Sequence, residues 1–199
     1  MLKLFKVVCL SALVLSMQAF ADAKSDLQSK LMQYTALKAD FSQTVTRKDG
    51  SVVSTSTGTL ALKKPGNLML HTLNPDEQVL FTKGNTVNYY DPFVNQVTIF
   101  NVKDLYTSPF SLLTSKDEKI WGQYDVTVNG SSYTLIPHKK AEVTQIVLTF
   151  NGDHVQELKV TMKDGNTNSY ALSNLAYSVS DSEFNYEVPA DAQIDDERN

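Results

Sequence analysis

The stretch "GTLALKKPGNLMLHT", residues 58–72, holds two short apolar runs on either side of Pro65-Gly66. Alternation with a period of two marks strands, and proline followed by glycine marks the turn between them. On one face stand Leu60 and Leu62, with Lys64 next in line, and Leu68 and Leu70 follow across the turn. A hairpin that presents a row of leucines needs an apolar partner. A lysine ending that row either reaches water along its own stem or donates to carbonyls at a helix C-terminus.

The same period extends in both directions. Candidate strands read "ADFSQTVTR", "VVSTSTGTLALKK", "NLMLHT", "EQVLFTK", "TVNYYD" and "QVTIF", then "QYDVTVN", "SYTLIPH", "VTQIVLTF", "HVQELKVTM" and "TNSYALSNLAY". Lys48-Asp49-Gly50, Asn74-Pro75-Asp76, Lys83-Gly84-Asn85, Asp91-Pro92, Asn129-Gly130, Asn151-Gly152-Asp153 and Lys163-Asp164-Gly165 punctuate them. Such short gaps favour antiparallel hairpins. About eleven strands of this kind make a mainly β protein. A sheet that large curls, because strand twist accumulates. The expected inward set is Leu60, Leu62, Leu68, Leu70, Leu80, Ile146, Leu148, Phe150, Leu158 and Val160. Periodicity alone leaves open whether these line a ligand cavity or a filled core.

Two segments break the rhythm. "DAKSDLQSKLMQYTALKADF" places Leu27, Leu31, Tyr34 and Leu37 at helical spacing, with Asp22 or Ser25 as candidate caps. The segment 103–121 reads as one or two short helices, the second opening at Ser108-Pro109 and presenting Phe110, Leu112 and Leu113. Both are amphipathic, and the concave face of the sheet is the surface available to bury them. The acidic end "DAQIDDERN" reads as a solvated tail.

Lys3 and Lys6, the apolar "VVCLSALVLSM" and Ala19-Phe20-Ala21 before Asp22 have the form of a signal peptide with residues 1–21 removed. Cys9, the one cysteine, lies inside it, so no disulfide or lipid attachment is expected in the exported chain. Removing 21 of 199 residues leaves 178, a length suited to one domain, 22–199; loss of Lys3 and Lys6 takes the formal charge from −4 to −6. A mildly acidic chain without basic runs gives no support to nucleic-acid binding, and no long apolar segment follows Asp22.

Catalytic constellations are sparse. His71, His138 and His154 stand far apart, without the spacing of a metal site, and neither a nucleophile elbow nor a phosphate-binding glycine loop is present. Asn129-Gly130-Ser131 matches a glycosylation sequon but reads better as a hairpin turn. No catalytic residue, metal or cofactor is expected.

In order along the chain, "ALKADFSQTV", "GTLALKKPGNLMLHT", "PDEQVLFTKGNTVNYYDPFVNQVT" and "SPFSLL" together resemble the LolA family, periplasmic carriers of outer-membrane lipoproteins. The resemblance spans essentially the whole chain. It implies an unclosed antiparallel β-barrel under a lid of short α-helices, with acyl chains held in an apolar cavity between them, and so favours cavity over core. It also implies acylated lipoproteins as cargo, an inner-membrane ABC transporter of the LolCDE type as donor, and a LolB-type outer-membrane receptor as acceptor. A monomer is expected. The lid helices would contribute Leu27, Leu31, Tyr34, Phe110 and Leu113. The family position matching Lys64 is typically arginine and serves as the lid latch; lysine keeps the charge but loses the planar fork of donors. Leu70 stands where tryptophan is common. A LolB-type receptor would need a cysteine directly after the leader, where this chain has Ala21-Asp22. A periplasmic lipid-binding or sensor module of the same half-barrel is the alternative reading.

Overall fold

The computed structural model describes residues 22–101, 109–139 and 142–198. The leader, and the expected helix start before Pro109, lie outside these. Helix α1 covers residues 22–32. Strands β1 (Ala36–Thr46), β2 (Val52–Lys63), β3 (Asn67–Asn74), β4 (Gln78–Lys83), β5 (Thr86–Asp91) and β6 (Gln96–Asn101) follow as a meander. Helices α2 (Pro109–Thr114) and α3 (Glu118–Trp121) precede a second meander: β7 (Tyr124–Asn129), β8 (Ser132–Pro137), β9 (Val143–Asn151), β10 (His154–Met162) and β11 (Thr167–Ala176). A last strand, β12, spans Gln193–Asp196.

All twelve strands form one sheet in the order β12-β6-β5-β4-β3-β2-β1-β11-β10-β9-β8-β7. The two meanders are joined where β1 pairs antiparallel with β11. Strands β6 and β7, consecutive in the chain, therefore stand on opposite flanks of the sheet. The chain linking them must pass from one flank to the other, and it carries α2 and α3 over the concave side.

The opening hairpin has the expected register, with Leu60 opposite Leu70 and Leu62 opposite Leu68. Gly66 at φ 75° supplies the left-handed residue of the turn. Gly58, beside a register shift, lies so close to β3 that a Cβ would stand 2.0 Å from the His71 carbonyl oxygen. No larger residue fits there.

Two expectations need correction, and one feature was not expected. The first helix ends at residue 32, so Tyr34 lies beyond it and Leu37 belongs to β1. Leu37 reaches the same core from the strand, which is why its spacing mimicked a helical stripe. The acidic end is not all tail: β12 pairs parallel with β6, Gln193 opposite Gln96 through Asp196 opposite Ile99. The sheet is thus antiparallel apart from one edge. Finally, apolar burial occurs on both faces. The concave core takes Leu60, Leu62, Leu68, Ile146, Leu148, Phe150, Leu158 and Val160, with Leu70 and Leu80 half-buried against it. A second core on the convex side gathers Ala36, Ala61, Met69, Val79 and Phe81 under Val179, Phe184, Tyr186 and Val188 of the segment after β11.

Candidate functional site

The lid is built from three helices with one apolar side each. Ala23, Leu27 and Leu31 recur every fourth residue along α1, and all are buried in the concave core. Phe110, Leu112 and Leu113 of α2, with Ile120 and Trp121 of α3, complete the cover. Asp117 caps α3 by accepting from the Lys119 amide at 2.8 Å. The Trp121 indole donates to the Ser115 carbonyl at 3.1 Å, so this ring is buried without an orphaned N–H.

Polar ties fasten α1 to its surroundings. The Tyr133 hydroxyl on β8 donates to the Asp26 carboxylate; burial and that hydrogen bond push the phenol up to about 12. Lys30 Nζ meets Asp153 Oδ1 at 2.9 Å and lies 5.7 Å from the centre of the Phe150 ring. Gln28 donates to Glu118 of α3 at 3.0 Å. Just past the helix, Tyr34 donates to the Asp153 carbonyl and stacks on Tyr177 at 4.1 Å, and His154 stacks on the same ring at 5.2 Å.

Lys64 provides a further tie. Its Nζ donates to the Leu31 carbonyl at 2.6 Å, one of the last carbonyls of α1, which have no partner within the helix. Of the two fates open to this lysine in the sequence, the structure has the helix C-terminus. Burial, and then the like charge of Lys116, hold the ammonium below the usual lysine range. Among the described residues, no carboxylate forms an ion pair with it.

Beside Lys64 lies a narrow cleft at the mouth between lid and sheet, lined by Leu31, Tyr34, Leu37, Leu62, Leu113 and Val155 among others. Its volume is about 20 Å³, room for little more than a water molecule. Among the described residues, the lid side chains Leu27, Leu31, Phe110, Leu112 and Leu113 are buried against the concave leucines beside this cleft. A larger groove of about 480 Å³ runs over the convex side, between Phe81, Lys83, Asn88 and Val97 of the sheet and Tyr186 and Ile194 of the C-terminal segment.

The expected residues do not all share one environment. Eight of the ten cavity positions are fully buried, while Leu70 and Leu80 flank the core. Tyr34 lies at the mouth, not within a lid helix. Trp121, Tyr133 and Leu135 were not among the expected site residues, yet they belong to the same core, as does Leu112 of the expected helix. The alternation of Tyr133 and Leu135 in "SYTLIPH" is the signal that could have found them. The three histidines pair separately, with Glu77, with Asp125 and with the tyrosine stack. Among the described residues, no group of His, Cys, Asp or Glu could hold a metal, and no helix is long and apolar enough to cross a membrane.

The result is an unclosed sheet roofed by helices over a leucine-rich concave face. The family described as "Outer membrane lipoprotein carrier protein LolA" matches residues 32–187. The chain belongs to the LolA family. An outer-membrane lipoprotein carrier protein of Pasteurella multocida is 38% identical over 98% of this chain and 97% of its own length. One from Pectobacterium atrosepticum is 36% identical over the whole of both chains. Among solved structures, an uncharacterized conserved protein of Thermus thermophilus superposes with a TM-score of 0.57 at 12% identity, covering 86% of this chain and 98% of the other. That likeness speaks for the fold alone. As a member of the LolA family this chain is a lipoprotein carrier and not an enzyme.

Proposed function

We propose that this carrier works in the periplasm after cleavage near Ala21, as a monomer. It accepts acylated lipoproteins from an inner-membrane ABC transporter of the LolCDE type and delivers them to a LolB-type receptor in the outer membrane. Acyl chains lie between the concave leucines and the lid, with Lys64 as the latch. The observation that supports this reading is the Lys64–Leu31 hydrogen bond, which ties the last turn of α1 to the hairpin beside an apolar core in a member of a lipoprotein-carrier family.

A carrier is needed because each methylene exposed to water costs about 0.8 kcal/mol, so a long acyl chain costs on the order of 10 kcal/mol. The closed interior fits a resting state that hides its own leucines while empty. Loading exchanges contacts between lid and sheet for contacts with acyl chains, so apolar area remains buried throughout. No chemical step is involved.

The test is lipoprotein release. The protein is incubated with spheroplasts or transporter-containing vesicles displaying labelled lipoprotein, with ATP. A soluble one-to-one complex is expected. Retention of all lipoprotein in the membrane, while a fluorescent fatty acid still binds, would leave a small-lipid carrier and end the lipoprotein reading.

A further inference from the structure

Lid opening has an electrostatic cost at one atom. In the closed state the Lys64 ammonium is half-buried and donates to the Leu31 carbonyl. An ammonium carries three donors, and that bond uses one of them. When α1 lifts, the carbonyl leaves with it. The cation is then left beside Leu62, Leu113 and Val155, with Lys116 adding like charge and no paired carboxylate among the described residues. A hydrocarbon chain entering the cleft gives the ammonium nothing in exchange. An anionic head group replaces the lost carbonyl with a stronger, charge-assisted partner and screens the two lysines from each other. The compact ammonium on its flexible stem can follow such a group as the lid moves.

We infer that the mouth of the lid is a binding site for an anionic single-chain amphiphile, a fatty carboxylate or a monoacyl phosphate. Its head group is held by Lys64 with Lys116 nearby, and its chain runs past Leu31, Leu62 and Leu113 beneath the lid. The inference rests on the reading that acyl chains enter at this mouth. It adds a ligand class that a lipoprotein carrier does not require, and the site gives such amphiphiles a means to compete with cargo.

The test uses the purified protein and a fluorescent polyene fatty acid, compared with its own methyl ester. The acid should bind about tenfold tighter or more, the range of one hydrogen bond to a charged group. Lysophosphatidic acid should displace it better than a neutral monoacylglycerol, and inorganic phosphate should not displace it. Lys64→Gln should abolish the preference for acid over ester. Lys116→Gln, at an exposed position, should reduce it and serves as the second variant if Lys64→Gln does not fold. Equal binding of acid and ester overturns the inference, as does a preference unchanged in both variants. Displacement by inorganic phosphate as effective as that by lysophosphatidic acid also overturns it, since the site would then take a bare anion. The release assay run in parallel separates the two readings. Lipoprotein uptake without acid preference leaves the carrier and removes this site; acid preference without lipoprotein uptake does the reverse.

Discussion

Lys63 and Lys64 are neighbours in sequence and serve opposite faces of the sheet. Lys63 meets Asp181 of the C-terminal segment at 2.5 Å on the convex side, and Lys64 meets the Leu31 carbonyl of the lid at 2.6 Å on the concave side. The convex cover is further pinned by Lys38 to Glu183 at 2.7 Å, and it buries Val79 and Phe81 beneath Val179 and Phe184. The concave cover buries more apolar surface but has its mouth beside a cation bound to a neutral carbonyl. Both covers carry charged fastenings, since Lys30 of α1 meets Asp153 at 2.9 Å, and the concave one differs in having a cation on a neutral carbonyl at its mouth. The difference teaches that burial alone does not tell the two faces apart; what stands at the mouth of each cover does.

Several experiments can break or sharpen that contrast. Phe81→Ala opens a void in the convex core and should cost about 3–5 kcal/mol in chemical denaturation. Affinity for an acyl probe should be unchanged wherever the variant stays folded, and a parallel fall would mean that the faces are coupled. Leu68→Asn, on the concave face, should do the opposite. It should weaken acyl binding by more, in free energy, than it lowers stability, although loss of a buried leucine already costs about 2–5 kcal/mol. Equal losses in both would identify an ordinary packed core.

Alkaline titration probes the concave core. Burial pushes the Tyr170 phenol up to about 12, where its ring packs edge-on against Phe41 and Phe110. A phenol raised above its unfolded value of 10.0 stabilises the fold fully below pH 10, and that contribution is lost as pH rises towards 12. Phenolate absorbance should therefore appear late in the folded protein, with loss of near-ultraviolet dichroism in the same window. Phenolate formation near pH 10 without unfolding would show the ring to be solvated.

The lysines set the smaller effects. Lys64→Leu should speed amide exchange at the last turn of α1 and cost about 1–2 kcal/mol at most, while Lys64→Arg should slow both exchange and acyl uptake. Identical exchange and uptake in both variants would remove Lys64 as the latch. Lys63→Ala breaks an exposed pair and should change stability by about 0–1 kcal/mol, with no effect on uptake.

Much of this contrast was legible in the sequence, but unevenly. Turn chemistry at Pro65-Gly66 and Asn151-Gly152-Asp153 placed the hairpins, and Ile146, Leu148 and Phe150 alternate with less buried neighbours, so their inward direction could be read. The convex core left a signal in the runs Leu60-Ala61-Leu62 and Val79-Leu80-Phe81. Unbroken apolar runs mean a strand buried on both faces, whereas strict alternation does not. Strand β12 could not be read this way. All four of its residues are exposed and its pairing is made by backbone groups, so its side chains carry no period. Tyr34 was misplaced because a strand entering the same core continued the spacing of the helix.

The position of β1 at the centre of the sheet has a consequence for synthesis. Its β2 edge pairs through a hairpin within a few residues, while its other edge waits for Thr167–Ala176, more than 120 residues later at every registered pair. Until then the first meander presents an open row of backbone donors and acceptors, the kind of edge on which strands of other chains pair. A nascent chain thus carries this open β1 edge for most of its length, and the edge is closed only when β11 arrives.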